Sequence, residues 1–107
     1  MNHKVIMQIE AALACNQQLL AQADQDDWDG FGESLALYTP LLAELCAYDF
    51  KALEGTHRSL VAVRLAHLLT EDGVLKQRIQ QRLFSLHSDI AFIQKSRHSV
   101  RAYHAVP

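Results

Sequence analysis

The side chains of this sequence that could bind a metal ion are six histidines and two cysteines. A metal site on a helix typically uses ligands three or four residues apart, because that spacing places both side chains on one face. No two histidines have this spacing: the nearest pairs, His98 with His104 and His57 with His67, lie six and ten residues apart. We interpret the histidines as surface residues and expect no metal ion or other cofactor.

The spacing of the two cysteines does not support redox chemistry. Cys15 and Cys46 are far apart and form no CxxC pair, so we expect reduced thiols that pack as small apolar side chains. The sequence also has no Gly-rich phosphate loop, no GxSxG and no HExxH. We therefore predict no catalytic residues and a protein that is not an enzyme.

His67 has one further interpretation. Histidine phosphotransfer domains are small helical bundles with an exposed histidine followed by x-Leu-Lys-Gly. The segment His67-Leu68-Leu69-Thr70 resembles that motif in its leucine and lacks the lysine and the glycine. Phosphotransfer through His67 stays open as an alternative function.

The composition predicts helices along nearly the whole chain. Half of the 107 residues are apolar, 21% are charged, and there are only four glycines and two prolines. These values are typical of one soluble globular domain, which we place at residues 1–107. The start of the chain shows no secretory signal, and no later run approaches the ~20 apolar residues of a membrane span, so we expect a cytoplasmic protein.

Apolar periodicity predicts the first two helices. The first runs from about Lys4 to Ala23, and the acidic segment 24–27 suits the start of the second. The second helix runs from Trp28 to about Phe50, and Pro40 within it should cause a kink near Ala36. Its apolar side chains alternate at steps of three and four residues, the pattern of a packed helix: Trp28, Phe31, Leu35, Tyr38, Leu42 and Leu45.

The second half of the chain predicts two more helices. Gly55 ends the preceding run, and Thr56 or Ser59 can cap a third helix, whose apolar residues are Leu60, Val63, Leu65, Leu68 and Leu69. Residues 70–73 predict a turn, although a bent continuous helix is also compatible with them. The polar segment 94–99 predicts a joint between a fourth helix and a short terminal one. We therefore predict an all-α antiparallel bundle of four helices.

The fourth helix has more apolar surface than one bundle face can bury. At 100° per residue, Leu83, Ile79, Leu86, Ile90 and Ile93 share one side, while Val74, Phe84 and Phe92 lie roughly opposite. Two interpretations remain open. The aromatic residues are scattered on the surface, or Phe84 and Phe92 border an apolar groove for another helix or chain.

The charges divide unevenly along the chain. Residues 1–54 hold nine acidic and two basic side chains, a net charge of −7, and residues 55–107 hold eight basic and three acidic ones, a net charge of +5. We expect the two halves to complement each other within the bundle. Because the basic residues are spread out and no helix-turn-helix spacing is present, we do not expect direct binding of nucleic acid.

Two segments resemble the flagellar FliT-type export chaperones. Asp27-Trp28-Asp29 is similar to the start of the family's second helix. Ile79-Gln80-Gln81-Arg82-Leu83, followed by Leu86, Ile90, Gln94-Lys95-Ser96-Arg97 and Ala102-Tyr103, is similar to its C-terminal pattern.

The resemblance implies a chaperone that binds the filament-cap protein FliD, prevents its premature assembly and delivers it to the export gate and its ATPase. It also implies a second partner, the master transcription activator of flagellar genes. A regulator that binds a transcription factor or another helical partner outside secretion is the alternative, and a homodimer is left open. The resemblance implies that Trp28 and Tyr38 are bundle anchors and that Arg82 and Tyr103 fix the terminal helix; it also implies packing or groove roles for Ile79, Leu83, Leu86 and Ile90. Together with the surplus apolar surface of the fourth helix, the predicted protein-binding residues are Ile79, Leu83, Phe84, Leu86, Ile90, Phe92, Ile93 and Tyr103, and the predicted structural anchors are Trp28, Tyr38, Leu42 and Arg82.

Overall fold

The computed structural model describes the backbone of residues 2–105 and the side chains of residues 4–97. Its elements are α1 (Asn2–Asp24), α2 (Trp28–Ala47), a short 3₁₀ helix (Phe50–Ala52) and α3 (Gly55–Ala105), and residues 2–105 contain no strand. The all-α prediction is confirmed. The chain divides into two compact units, Met1–Lys76 and Gln77–Pro107.

The prediction of four helices is wrong, because α3 is one helix from Gly55 to Ala105. Neither the predicted turn at residues 70–73 nor the predicted joint at 94–99 interrupts it. A single glycine inside a helix costs only ~1 kcal/mol, and Lys76 pairs with Asp72 across one turn at 3.0 Å. Gln, Lys and Arg are good helix formers, so the end of an apolar stripe at Gln94 does not end the helix.

Residues 25–27 connect α1 to α2 through two helix caps that share Asp27. Asp26 has a positive φ of 56°, and the amides of Asp26 and Asp27 donate to the carbonyls of Ala23 and Gln22, at 3.2 and 2.9 Å. This pair of bonds is a Schellman motif, which ends α1. The Asp27 carboxylate then accepts from the amide of Gly30 at 3.0 Å and begins α2. The prediction that the acidic segment starts α2 is confirmed.

In the first unit, α1 and α2 pack as an antiparallel hairpin. Contacts between their side chains join Gln8 to Glu44 and Asn16 to Tyr38, so the chain positions rise on one helix as they fall on the other. The buried residues of α1 are one, three or four residues apart, so they lie on one face of the helix. They are Val5, Ile9, Ala12, Leu13, Asn16 and Leu19.

The predicted apolar face of α2 is confirmed. Phe31, Tyr38 and Leu45 are buried, and the residues between them, Trp28, Leu35 and Leu42, are half-buried. The helix continues through Pro40 to Ala47. It ends before the predicted Phe50, because the chain turns at Tyr48, whose amide donates to the carbonyl of Leu45 at 3.2 Å.

The part of α3 within the first unit buries Val61, Leu68 and Leu75, which are spaced by seven residues. Val63 and Leu69, two apolar residues of the predicted third helix, are exposed, and Leu60 is 41% exposed. The side chains at 60–69 contain two interleaved apolar sets, and only contact with α1 and α2 decides which set is buried.

Candidate protein-binding surfaces

The apolar stripe of the second unit faces solvent. Ile79 is half-buried, and the other members are exposed, from Leu86 at 38% to Leu83 at 59%. The remaining two, Ile90 and Ile93, are each 52% exposed. We call Ile79, Leu83, Leu86, Ile90 and Ile93 the 79–93 stripe. These residues were predicted to serve as bundle packing or as a groove, and in this chain they do not form a core.

Phe84 and Phe92, the two aromatic residues among positions 77–97, are 76% and 72% exposed. They lie eight residues apart, and at 100° per residue they point about 80° away from each other. Phe84 borders a shallow depression with Gln77, Gln80 and Gln81, and Phe92 is not part of it. The structure therefore keeps the two rings apart, although each adds apolar surface outside the stripe.

The first unit contains an apolar groove that the sequence interpretation missed. It lies between α2 and α3 and has a volume of about 200 Å³. Leu69 is 70% exposed at this groove, and the Cys46 side chain is exposed there too. We call it the α2–α3 groove, and its lining residues are Leu42, Leu45, Cys46, Phe50, Leu65, Leu68, Leu69 and Asp72. Leu69 was predicted only as one of the apolar residues of a third helix, so no sequence signal pointed to the groove.

The aromatic residues predicted as anchors lie at the start and middle of α2. Trp28 is half-buried, and its ring centroid lies 5.1 Å from that of Phe31 with the planes tilted by 57°. This tilted geometry is favourable for aromatic pairs. Tyr38 is buried, and Leu42, the third predicted anchor of α2, lines the α2–α3 groove.

Arg82 and Tyr103 were predicted to fix a separate terminal helix. Since α3 is unbroken from Gly55 to Ala105, there is no separate helix within it for them to fix. Arg82 is half-buried. The side chain of Tyr103 lies outside the described residues, so its predicted role in binding stays a prediction.

A polar layer crosses the core of the first unit. The Asn16 amide donates to the Tyr38 hydroxyl at 3.1 Å, and this hydroxyl donates to Asp72 Oδ1 at 2.8 Å. Because a carboxylate only accepts, Tyr38 must donate to Asp72, and Asn16 must therefore present its NH₂ group. Asn16 is fully buried, and its Oδ1 has no hydrogen-bond partner among the described residues. Each of the three helices contributes one polar side chain to this layer.

The environment of Tyr38 keeps its hydroxyl protonated. Burial raises the pKa of Tyr38 to about 12; the hydrogen bond from Asn16 lowers it, and the hydrogen bond to Asp72 and the carboxylate charge raise it. The hydroxyl is therefore a donor to Asp72 throughout the neutral range.

In the part of the chain that the structure describes, the histidine and cysteine side chains do not come together in a metal site or a disulfide. His67 is about half exposed, and its Nε2 lies 3.8 Å from Glu71. Among residues 4–97, no three His, Cys, Asp or Glu side chains lie close enough together to hold a metal ion. Cys15 donates to the carbonyl of Ser34 at 3.4 Å, and burial raises the pKa of its thiol. Cys46 is exposed, so its predicted role as a packed apolar residue is wrong.

The change of charge in the sequence coincides with the start of α3. The half of the sequence with negative net charge contains α1, α2 and the short 3₁₀ helix. The half with positive net charge begins at Gly55, the first residue of α3. An ion pair within the first unit joins the two halves of the sequence: Arg64 Nη1 lies 3.1 Å from Glu10 Oε1. Since both side chains are substantially exposed, such a pair contributes at most ~1 kcal/mol.

A family model described as flagellar protein FliT matches residues 6–105. This chain belongs to the FliT family. The match spans the α1–α2 hairpin, the α2–α3 groove residues and the 79–93 stripe. No curated protein and no solved structure matched the chain.

Membership of the FliT family implies a flagellar export chaperone with flagellar protein partners. The family resemblance predicted from Trp28 and from the C-terminal pattern is confirmed. None of the described helices of this FliT-family chain combines the length and the apolar content that crossing a membrane requires.

Proposed function

We propose that residues 1–107 act as one chaperone domain that binds the filament-cap protein FliD in the cytoplasm, before its export. In this proposal the 79–93 stripe receives an amphipathic segment of FliD. Covering that segment prevents premature assembly, and the complex then delivers FliD to the export gate and its ATPase. In this proposal the chaperone acts by binding and not by catalysis.

The observation that supports this proposal best is the exposure of the 79–93 stripe. Leu83, Ile90 and Ile93 are each more than half exposed along one side of α3. Burying apolar surface contributes roughly 25 cal/mol per Å², so an amphipathic helix laid along the stripe would be stabilised by removing its own apolar face from water as well. Recognition of a helix by its i, i+3, i+4 and i+7 side chains is a common mode of peptide binding.

The test is capture of the C-terminal segment of a filament-cap protein by the purified chain, measured by calorimetry. Leu83→Asp and Ile90→Asp should weaken capture at least tenfold, because each places a charge inside the proposed contact. Both side chains are exposed, so far-UV circular dichroism and the melting temperature should stay close to those of the unchanged chain. Capture that is unaffected by both substitutions would exclude the stripe as the binding surface.

Phe92→Asp tests whether the contact with FliD extends beyond the 79–93 stripe. Phe92 lies on a different side from Leu83, so a loss of capture in Phe92→Asp with unchanged helicity would extend the contact to both sides of the helix. A variant that melts early would instead show that Phe92 belongs to a core. The matched control is Gln81→Asp, which adds the same charge at an exposed polar position.

The α2–α3 groove is the second candidate surface for the same function. Leu69 is 70% exposed at its border, so Leu69→Asp should leave folding intact. If Leu69→Asp abolishes capture while Leu83→Asp does not, the FliD segment binds in the groove and not on the stripe.

The two alternative functions can each be tested separately. A regulator of the flagellar master transcription activator would capture that activator and not the filament-cap protein. A phosphotransfer domain would accept phosphate on His67, and the exposed position of this side chain allows the labelling experiment. Sedimentation of the free chain across a range of concentrations would decide whether it forms the homodimer left open by the sequence.

A further inference from the structure

We propose that the layer formed by Asn16, Tyr38 and Asp72 fixes the axial position of α3 against the α1–α2 hairpin. The three side chains are joined by bonds of 3.1 and 2.8 Å across three helices. The layer acts by selecting one of several packings that the apolar residues alone would allow.

The apolar residues of α2 and α3 repeat too regularly to define one position. Phe31, Tyr38 and Leu45 follow one another at intervals of seven residues, and so do the buried residues of α3, which are Val61, Leu68 and Leu75. A displacement of α3 by seven residues, about 10 Å at 1.5 Å per residue, would again place apolar side chains at two of the three buried positions of α3, with Arg82 or Glu54 at the third.

The polar layer is what such a displacement would break. Seven residues before Asp72 stands Leu65, and seven residues after it stands Ile79. Either would replace the carboxylate with an apolar side chain and leave the buried Tyr38 hydroxyl without its acceptor. Buried polar groups without partners disfavour the state that contains them, and one buried polar residue is known to specify the register of helices that repeat every seven residues.

The connections between the helices differ in length, and this explains why the axial position of α3 depends on the polar layer more than that of α2 does. Only residues 25–27 separate α1 from α2, and two caps hold them. Between α2 and α3 the chain has seven residues, 48–54, which include a short 3₁₀ helix. This connection is longer than the first, and Leu53 within it is 3% exposed, so a displaced α3 also has to release Leu53 from the core.

Distances between spin labels on α2 and α3 would test the proposal. Both native cysteines are replaced by serine, and labels are attached at Ala43→Cys and Ala66→Cys, two exposed positions. The unchanged core should give one distance. Asp72→Leu should give a second population, displaced by about 10 Å. Asp72→Asn, which keeps an acceptor for Tyr38, should give one distance and is the matched control.

The proposal fails if Asp72→Leu keeps the single distance of the unchanged core, or if Asp72→Asn shows two. The variant Asn16→Leu with Tyr38→Phe and Asp72→Leu removes every polar group of the layer. It should remain helical, melt cooperatively and show both populations. A single distance in this variant, or loss of cooperative melting, would contradict the proposal, because the apolar residues are expected to hold the helices together in either position.

Discussion

The Asp27 carboxylate occupies the space beside Gly30 that a side chain would need. Its Oδ1 accepts from the Gly30 amide at 3.0 Å, and a Cβ built on Gly30 would overlap Oδ2 of the same carboxylate. The same Cβ would lie 2.9 Å from Gln22 Nε2. The glycine looks unfavourable in a helical sequence, yet it allows the cap that begins α2.

This relationship predicts opposite results for two glycine substitutions. Gly73→Ala should raise the free energy of unfolding by ~0.5–1 kcal/mol, because Gly73 is helical and a Cβ there would meet nothing within 4 Å. Gly30→Ala should show no such gain and should lose up to ~1 kcal/mol, because it displaces the cap. Urea denaturation of both variants checks this, and an equal gain in both would mean that the cap tolerates the methyl group.

Tyr38 should make stability depend on pH in the alkaline range. The unfolded tyrosine ionises near pH 10, while burial raises the pKa of Tyr38 in the folded chain to about 12. Its contribution is therefore complete below pH 10 and is lost as the pH rises from 10 to 12. Tyr38→Phe should cost ~1–3 kcal/mol at pH 7, because it leaves Asn16 and Asp72 without their shared partner. The difference in urea midpoint between the unchanged chain and Tyr38→Phe should shrink from pH 9 to pH 11. A constant difference would argue against a raised pKa of Tyr38.

Leu68 and Leu69 are neighbours in sequence with opposite environments, 3% and 70% exposed. Leu68→Ala should lower the free energy of unfolding by ~2–5 kcal/mol, as expected for a buried leucine. Leu69→Ala should change it by less than ~0.5 kcal/mol. Thermal and urea unfolding measured side by side check the pair. Similar losses in both would mean that Leu69 is covered in solution.

Trp28→Ala should destabilise the first unit, because the ring packs on Phe31 at the start of α2. Replacing a well-packed aromatic residue costs up to ~3–5 kcal/mol, and Trp28 is only half-buried, so the lower end is expected. Trp28→Phe keeps the aromatic contact and should lose less. If both variants unfold at the same urea concentration, the contact with Phe31 is not what stabilises this helix end.

The helices that carry one clear apolar set were predictable from sequence. Trp28, Phe31, Leu35 and Tyr38 follow alternating steps of three and four residues, which only a helix face satisfies. Asp27 is a residue type that caps helices. The continuity of α3 was not predictable, because Gly73 and the polar segment after Ile93 are typical of turns as well as of exposed helix. Between Leu60 and Leu69, two apolar sets overlap, so periodicity could not choose Val61 over Val63.

The candidate surfaces were predictable only in part. Phe84 and Phe92 were singled out because the helix had more apolar residues than one face could bury, and both are exposed. Leu83, on the other side, was predicted as packing or groove and is exposed too. The α2–α3 groove depends on Phe50 and Leu65, which come together only after α3 packs beside α2. The polar layer depends likewise on three helices in one register, so no single-helix pattern could reveal that Asn16, Tyr38 and Asp72 meet.

The short connection at residues 25–27 also bears on how the chain folds. Only residues 25–27 separate α1 from α2 and two caps hold this turn, so little loop entropy opposes formation of the hairpin. We expect the hairpin to form before α3 docks, and therefore while α3 is still being synthesised. Pulse-labelling hydrogen exchange should show amides near Ala12 and Phe31 protected before those near Val61. Until α3 arrives, the apolar side of α2 stays open, so the newly made chaperone briefly has the kind of exposed surface that it is proposed to cover on its partner.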